Sequence, residues 1–209
     1  MTKQGTIAAI ALTCAMIVVG LVHVQAQQPP TPVDFRPVAD GKNWIVKEPL
    51  KYQVGISNDS VTVPRGFVTD FATIPPILQS LIQQNGPHLL PAVVHDYLYW
   101  KQTCSRDEAD QLFLLAMIEN RVPLADRTAM HQAVRAAGIF AWTTNARDRT
   151  ARKVRILPED RIKVPGLTTW PEYQRRLAME GVTDGPDAPI ARGFCARGSM
   201  SIEAALETP

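Results

Sequence analysis

Ala92-Val93-Val94-His95-Asp96-Tyr97-Leu98-Tyr99, a break at Cys104-Ser105, then Arg106-Asp107-Glu108-Ala109-Asp110-Gln111-Leu112-Phe113 decide how this chain is read. Apolar residues recurring at three and four positions make each half a helix, the first over about 91–100 and the second over 105–120. His95 and Tyr99, four apart, share one face, and Asp96 projects a quarter turn away. The second helix opens on Ser105-Arg106-Asp107-Glu108, a pattern in which the serine hydroxyl caps the helix and the glutamate reaches back. Asp110 then falls in register with Phe113, Leu114, Met117 and Ile118, the face that packs inward. Arg106, Asp107, Glu108 and Glu119 sit on or near the side that water can solvate. An ionised carboxylate in an apolar stripe is costly unless something pairs with it, and the nearest candidate is the imidazole of His95. The expectation is a His95–Asp110 pair across two packed helices, with Tyr99 beside it.

Upstream, β-branched residues predict strands over 44–46, 50–56 and 60–68, with Ser57-Asn58-Asp59 as a hairpin turn. Asp70 follows the last strand in a Pro-rich loop, where chemistry tends to be placed. Its simplest role is an Asx-type turn bonding the Thr73 amide. A loop folded over the helices would instead gather Asp70, His95, Asp96 and Asp110. Three carboxylates so close repel unless a cation or a protonated imidazole sits among them, and an oxygen-rich set with one His favours calcium over zinc. On that reading Asp96 and Asp70 are metal ligands. On the plainer one, Asp110 holds two helices in register through hydrogen bonds to His95, Tyr99 or backbone.

Over about 44–142 the chain resembles the bacterial and phage proteins of the domain of unknown function 1353 family. The resemblance is carried by Val63-Pro64-Arg65-Gly66-Phe67-Val68-Thr69-Asp70-Phe71-Ala72-Thr73-Ile74-Pro75, by Ala92 to Tyr99, and by Ala109-Asp110-Gln111-Leu112-Phe113 with Met117. It implies no activity. His-Asp-x-x-Tyr followed by an Asp on the next helix also resembles the core of secreted phospholipase A(2). That likeness implies His95 as the base toward water, Asp110 as its orienting carboxylate, Tyr99 as a supporting hydroxyl, and Asp96 with the Asp70 loop as calcium ligands. The chain departs from that pattern in having Phe71 where a Gly-rich calcium loop would run and Ala92, Val93 and Val94 where half-cystines precede the catalytic His.

At the N-terminus, 7–24 is nearly all apolar behind Lys3, and Val24-Gln25-Ala26 offers small cleavage positions. Residues 1–26 therefore read as a secretory signal peptide, with an uncleaved membrane anchor as the alternative, and either exports the protein to the periplasm or beyond. Cys14 lies within this segment and in no convincing lipobox. About 180 residues follow, enough for one domain with a proper core. We divide them into a Pro- and Gln-rich linker over 27–40, an α+β domain over 41–143, and a basic, Pro/Gly-rich C-terminal extension over 144–209. The domain is expected to be a small N-terminal antiparallel sheet followed by a helical bundle carrying the His-Asp motif, with helices also over 77–84, 124–142 and, in the extension, 172–179. His131 reads as a surface residue. In an oxidising compartment Cys104 and Cys195 are free to pair, closing a loop of about ninety residues, or to remain thiols.

Arg147, Arg149, Arg152, Lys153 and Arg155 form a basic run suited to anionic lipid or cell-wall polymer, or simply to a solvated face. A net charge of +2 and the expected compartment disfavour nucleic acid. Oligomeric state is not legible. The functional readings are an exported hydrolase using His95 and Asp110, with a divalent cation, on a lipid or envelope ester; a non-catalytic envelope or phage-derived interaction domain in which the pair is structural; and an HD-type phosphohydrolase. The last lacks an upstream helical His, since His88 adjoins Gly86-Pro87.

Overall fold

The computed structural model describes residues 34–71 and 86–209. The N-terminal segment 1–26, most of the 27–40 linker, Thr73 and the helix expected over 77–84 lie outside them. The chain is α+β, with small antiparallel sheets followed by helices. Strands β1 (Phe35–Pro37), β2 (Trp44–Val46) and β5 (Val68–Thr69) form one sheet in the order β1-β2-β5, and β3 (Leu50–Gln53) pairs with β4 (Ser60–Val63) in a second. The expected hairpin is present, with Leu50 opposite Val63 and Gln53 opposite Ser60.

Three strand expectations are corrected. The strand expected over 50–56 ends at Gln53, and residues 54–59 make the connection to β4. Phe35–Pro37, assigned to the linker, pairs with β2. The run over 60–68 is one strand in sequence but two in space, because Pro64 has no N–H for a ladder and Gly66 turns the chain at φ 84°. Gly66 is also a point of close approach: a Cβ there would lie 2.3 Å from the Leu157 carbonyl oxygen.

Helix α1 (Leu89–Lys101) is buried from Leu89 to Trp100, so it is the central element and has no watered face. Helix α2 (Arg106–Glu119) starts on the expected capping box, with the Glu108 amide donating to Ser105 Oγ and the Ser105 amide to Glu108 Oε2 at 2.7 Å. Helix α3 (Leu124–Thr150) runs well past 142. Thr143, Thr144 and Asn145 are weak helix formers, yet nothing there breaks a helix, and Arg147 and Arg149 suit its C-terminal dipole.

The C-terminal extension is sewn onto the domain. Ile156 bridges Phe67, the Val68 amide donates to the Arg155 carbonyl at 2.8 Å, and the Leu157 amide donates to Gly66 at 2.9 Å. Asp184 accepts from the Trp100 indole at 2.9 Å and from the amides of Arg155 and Ile156, while Tyr97 donates to Asp187 at 3.0 Å. A 3-10 turn (Glu159–Arg161) and helices α4 (Trp170–Met179), α5 (Arg192–Arg197) and α6 (Ile202–Glu207) complete the chain. Cys104 and Cys195 form a disulfide that ties α5 to the turn between α1 and α2. Among the described residues no helix is long and apolar enough to cross a membrane.

Because this bond closes a loop across 91 positions of sequence, the Cys104→Ser/Cys195→Ser double variant should lose about 2 to 4 kcal/mol of unfolding free energy. Chemical denaturation with and without reductant measures it. A wild type indifferent to reductant would contradict the assignment.

Candidate functional site

The site is built where α1 crosses α2 and α3. Asp110 on α2 has no solvent exposure. Its Oδ1 accepts from the Tyr99 hydroxyl at 2.5 Å and lies 3.0 Å from His95 Nε2, and its Oδ2 accepts from Arg106 at 3.0 Å. Burial works to raise this carboxyl, but the hydrogen bonds from His95 and Tyr99 and the Arg106 charge outweigh it and hold it below the ordinary carboxylate range. The Tyr99 phenol is pushed up by burial and by its bond to Asp110. His95 shifts the other way: burial lowers it, and Asp110 restores only part of the loss. The imidazole is therefore neutral, with the proton on Nε2 facing the ionised Asp110. Nδ1, on the far side of the ring, is buried and has no hydrogen-bond partner among the described residues. The ring packs against those of Tyr99 and Phe113, with centroids 4.1 and 4.7 Å away.

His95, Tyr99, Asp96 and Asp70 line a cavity of about 460 Å³ whose other wall is the α3 face of Val134, Ala137 and Phe140. The expected four-residue cluster is divided. Asp110 lies behind His95 with Arg106 as its cation; Asp70 and Asp96 border the cavity in front. Asp70 Oδ1 is ion-paired with Arg155 at 3.3 Å, and Asp96 accepts the Thr69 hydroxyl. Calcium takes six to eight oxygens, and the described residues do not assemble such a cage. Among them, the group of three ligating side chains whose atoms lie within 4.8 Å of one another is Cys104, Glu108 and Cys195, and its sulfurs are bonded to each other.

Several participants differ from expectation. Arg106 reaches Asp110 while its side chain stays 24% exposed, a pairing that its four-residue spacing could have disclosed. His131 is half-buried, and its Nε2 is enclosed without a partner among the described residues. Arg155, counted with the basic run, lines the cavity and bonds the Val68 carbonyl at 2.9 Å and Asn145 Oδ1 at 3.4 Å. No local pattern marks it, since its place depends on the bridge between Phe67 and Ile156. Gly138 makes the crossing of α3 over α1 feasible, because a Cβ there would meet the Tyr99 hydroxyl at 2.3 Å.

His131, like His95, has its pKa lowered, chiefly by burial. A histidine lowered in the folded state stabilises the fold above its unfolded value, and that contribution is lost as the unfolded chain takes up the proton first. The melting temperature should therefore fall as pH drops below about 6.5, and His131→Gln should reduce the fall. A melting temperature constant between pH 7 and 5.5 would contradict this.

Residues 44–134 match the family model described as protein of unknown function (DUF1353). No curated protein and no solved structure matches the chain. The matched segment spans β2 to the first turns of α3 and so contains Asp70, His95, Asp96, Tyr99 and Asp110. Residues 44–134, which carry His95, Tyr99 and Asp110, are similar to the DUF1353 family.

Proposed function

We propose that this protein is an exported hydrolase of lipid or cell-envelope esters in which His95 is the general base. The observation that carries this reading is the buried Nδ1, with no partner among the described residues, on a neutral imidazole whose other nitrogen is fixed by Asp110, at the wall of a cavity. In the proposed step Nδ1 takes a proton from water, the hydroxide adds to the ester carbonyl, and Asp110 stabilises the resulting imidazolium. The same proton then goes to the departing alkoxide, so that ester and water give acid and alcohol. Arg155, in the cavity wall, is the charge available to the developing oxyanion. The disulfide supports an oxidising compartment, and the exposed basic side chains of Arg147, Arg149 and Arg152 suit anionic envelope polymers.

A second reading has one observation in its favour. Both oxygens of Asp110 are engaged by protein donors, the arrangement of a structural tie between α1 and α2. In that case the domain is a non-catalytic envelope or phage-derived interaction module.

Hydrolysis of p-nitrophenyl butyrate separates the two. As a hydrolase, wild type should turn it over, and His95→Gln, which keeps a donor for Asp110 but removes the base, should lose at least about 100-fold in kcat/KM with a melting temperature within a few degrees of wild type. Activity should persist in EDTA. It should rise with pH through an inflection below the ordinary histidine value of about 6.5, since burial lowers His95. Equal activity in His95→Gln, or no turnover by wild type, would leave the structural reading. Loss in EDTA restored by calcium would assign Asp70 and Asp96 to a metal.

A further inference from the structure

Away from the cavity, a second set of ligating atoms meets where α5 packs on the start of α2. Cys104, Glu108 and Cys195 are buried there, and their two sulfurs and a carboxylate oxygen all lie within 4.8 Å of one another. The approach is built into the backbone: a Cβ on Gly198 would lie 2.4 Å from the Glu108 carbonyl oxygen, so the glycine lets the end of α5 come close. Glu108 is fixed by the capping box, in which the Ser105 amide donates to Oε2 at 2.7 Å. Its Oε1 has longer contacts, accepting from the Ser199 hydroxyl at 3.3 Å and from Arg192 at 3.4 Å. Burial works to raise this carboxyl, but the bonds from Ser105 and the Arg192 charge hold it low, so it is ionised.

While the sulfurs are bonded to each other, the set offers no thiolate. Reduction supplies two. In exchange with a dithiol, the reductant closes to a cyclic disulfide, and two electrons and two protons pass to Cys104 and Cys195, which end as thiols. Two sulfurs and a carboxylate are donors that suit zinc. Tetrahedral zinc sets its sulfurs about 3.8 Å apart and its oxygen about 3.6 Å from each. Atoms within 4.8 Å of one another reach that spacing through small shifts, and Cys104 lies between α1 and α2, in neither helix. Its place just before the Ser105 cap favours the thiolate. Zinc then displaces both thiol protons. Two thiolates and a carboxylate around the ion sum to one negative charge, which Arg192 stands ready to balance.

We propose that the reduced protein binds zinc through Cys104 Sγ, Cys195 Sγ and a Glu108 carboxylate oxygen, with water in the fourth position. Helix α5 is then tied to the turn before α2 by a metal in one redox state and by a disulfide in the other. The site is independent of the hydrolase reading.

Zinc titration of the full chain tests this, with the protein reduced by a dithiol, freed of it under nitrogen, and read by competition with a chromophoric chelator. Reduced wild type should take up one equivalent, and the oxidised protein none at the same concentrations. Cobalt in place of zinc should give a sulfur-to-cobalt charge-transfer band. Glu108→Gln keeps the capping box, which glutamine also serves. It should weaken uptake by about tenfold or more through the lost ligand. Cys195→Ser should lose both the uptake and the band, and zinc should raise the melting temperature of reduced wild type without raising that of this variant. Should Cys195→Ser fail to fold, Glu108→Gln still decides. No uptake by reduced wild type, equal uptake by the oxidised protein, or an unchanged affinity in Glu108→Gln would overturn the proposal.

Discussion

A fully buried aspartate is the constraint around which this domain is organised. An ionised carboxylate with no water is tolerable only if its lone pairs are met by donors, and Asp110 receives His95, Tyr99 and Arg106 from two helices. Meeting that demand fixes the angle between α1 and α2, sets the rotamers of His95 and Tyr99, and selects the tautomer of the imidazole. It also requires α3 to pass close to the Tyr99 hydroxyl, which the missing Cβ of Gly138 permits. One carboxylate thus determines both the packing of three helices and the direction in which an imidazole nitrogen presents its lone pair.

The burial of α1 on all sides explains the rest of the architecture. A helix with no polar face needs cover in every direction, and here the strands, α2, α3 and the C-terminal segment each supply part of it. Its two polar tips that would otherwise be stranded, the Trp100 indole and the Tyr97 hydroxyl, are met by Asp184 and Asp187 of that segment. Aromatic residues with a polar handle become buried when the handle finds a partner. The extension is therefore a structural part of the fold, held at its far end by the disulfide to α5.

What was legible in the sequence is what short-range chemistry decides. The capping box at Ser105 and Glu108, the shared face of His95 and Tyr99, the β3–β4 hairpin and the α+β order all follow from spacing and turn residues, and all stand in the structure, although the hairpin's connection begins earlier than Ser57. The inward register of Asp110 could be read because a charge interrupted an apolar period. The pairing of Arg106 was missed because periodicity distinguishes faces but not donors: an arginine one turn before a buried aspartate can reach inward while its side chain stays partly exposed. The length of α3 was missed because Thr and Asn lower propensity without stopping a helix that tertiary contacts support, and Asn145 is buried against Arg155. Arg155, β1 and the half-buried His131 depend on pairings between distant segments, for which local spacing holds no signal.

The same bonds serve a structural tie and a catalytic pair, so the distinction lies in what they leave over. A buried histidine is expected to have both nitrogens met, since a buried polar atom without a partner forfeits about 1 to 3 kcal/mol, an expectation that His131 also fails at Nε2 among the described residues without lining the cavity. His95 meets that expectation at Nε2 and departs from it at Nδ1 among the described residues, while its ring packs against those of Tyr99 and Phe113. On the proposed reading, a neutral imidazole held rigidly on a residue that lines the cavity needs little reorganisation when the proton moves. The lowered pKa of His95 fits the proposed hydrolase reading: burial favours the unprotonated ring, and an ionised Asp110 would stabilise the imidazolium of the proposed step.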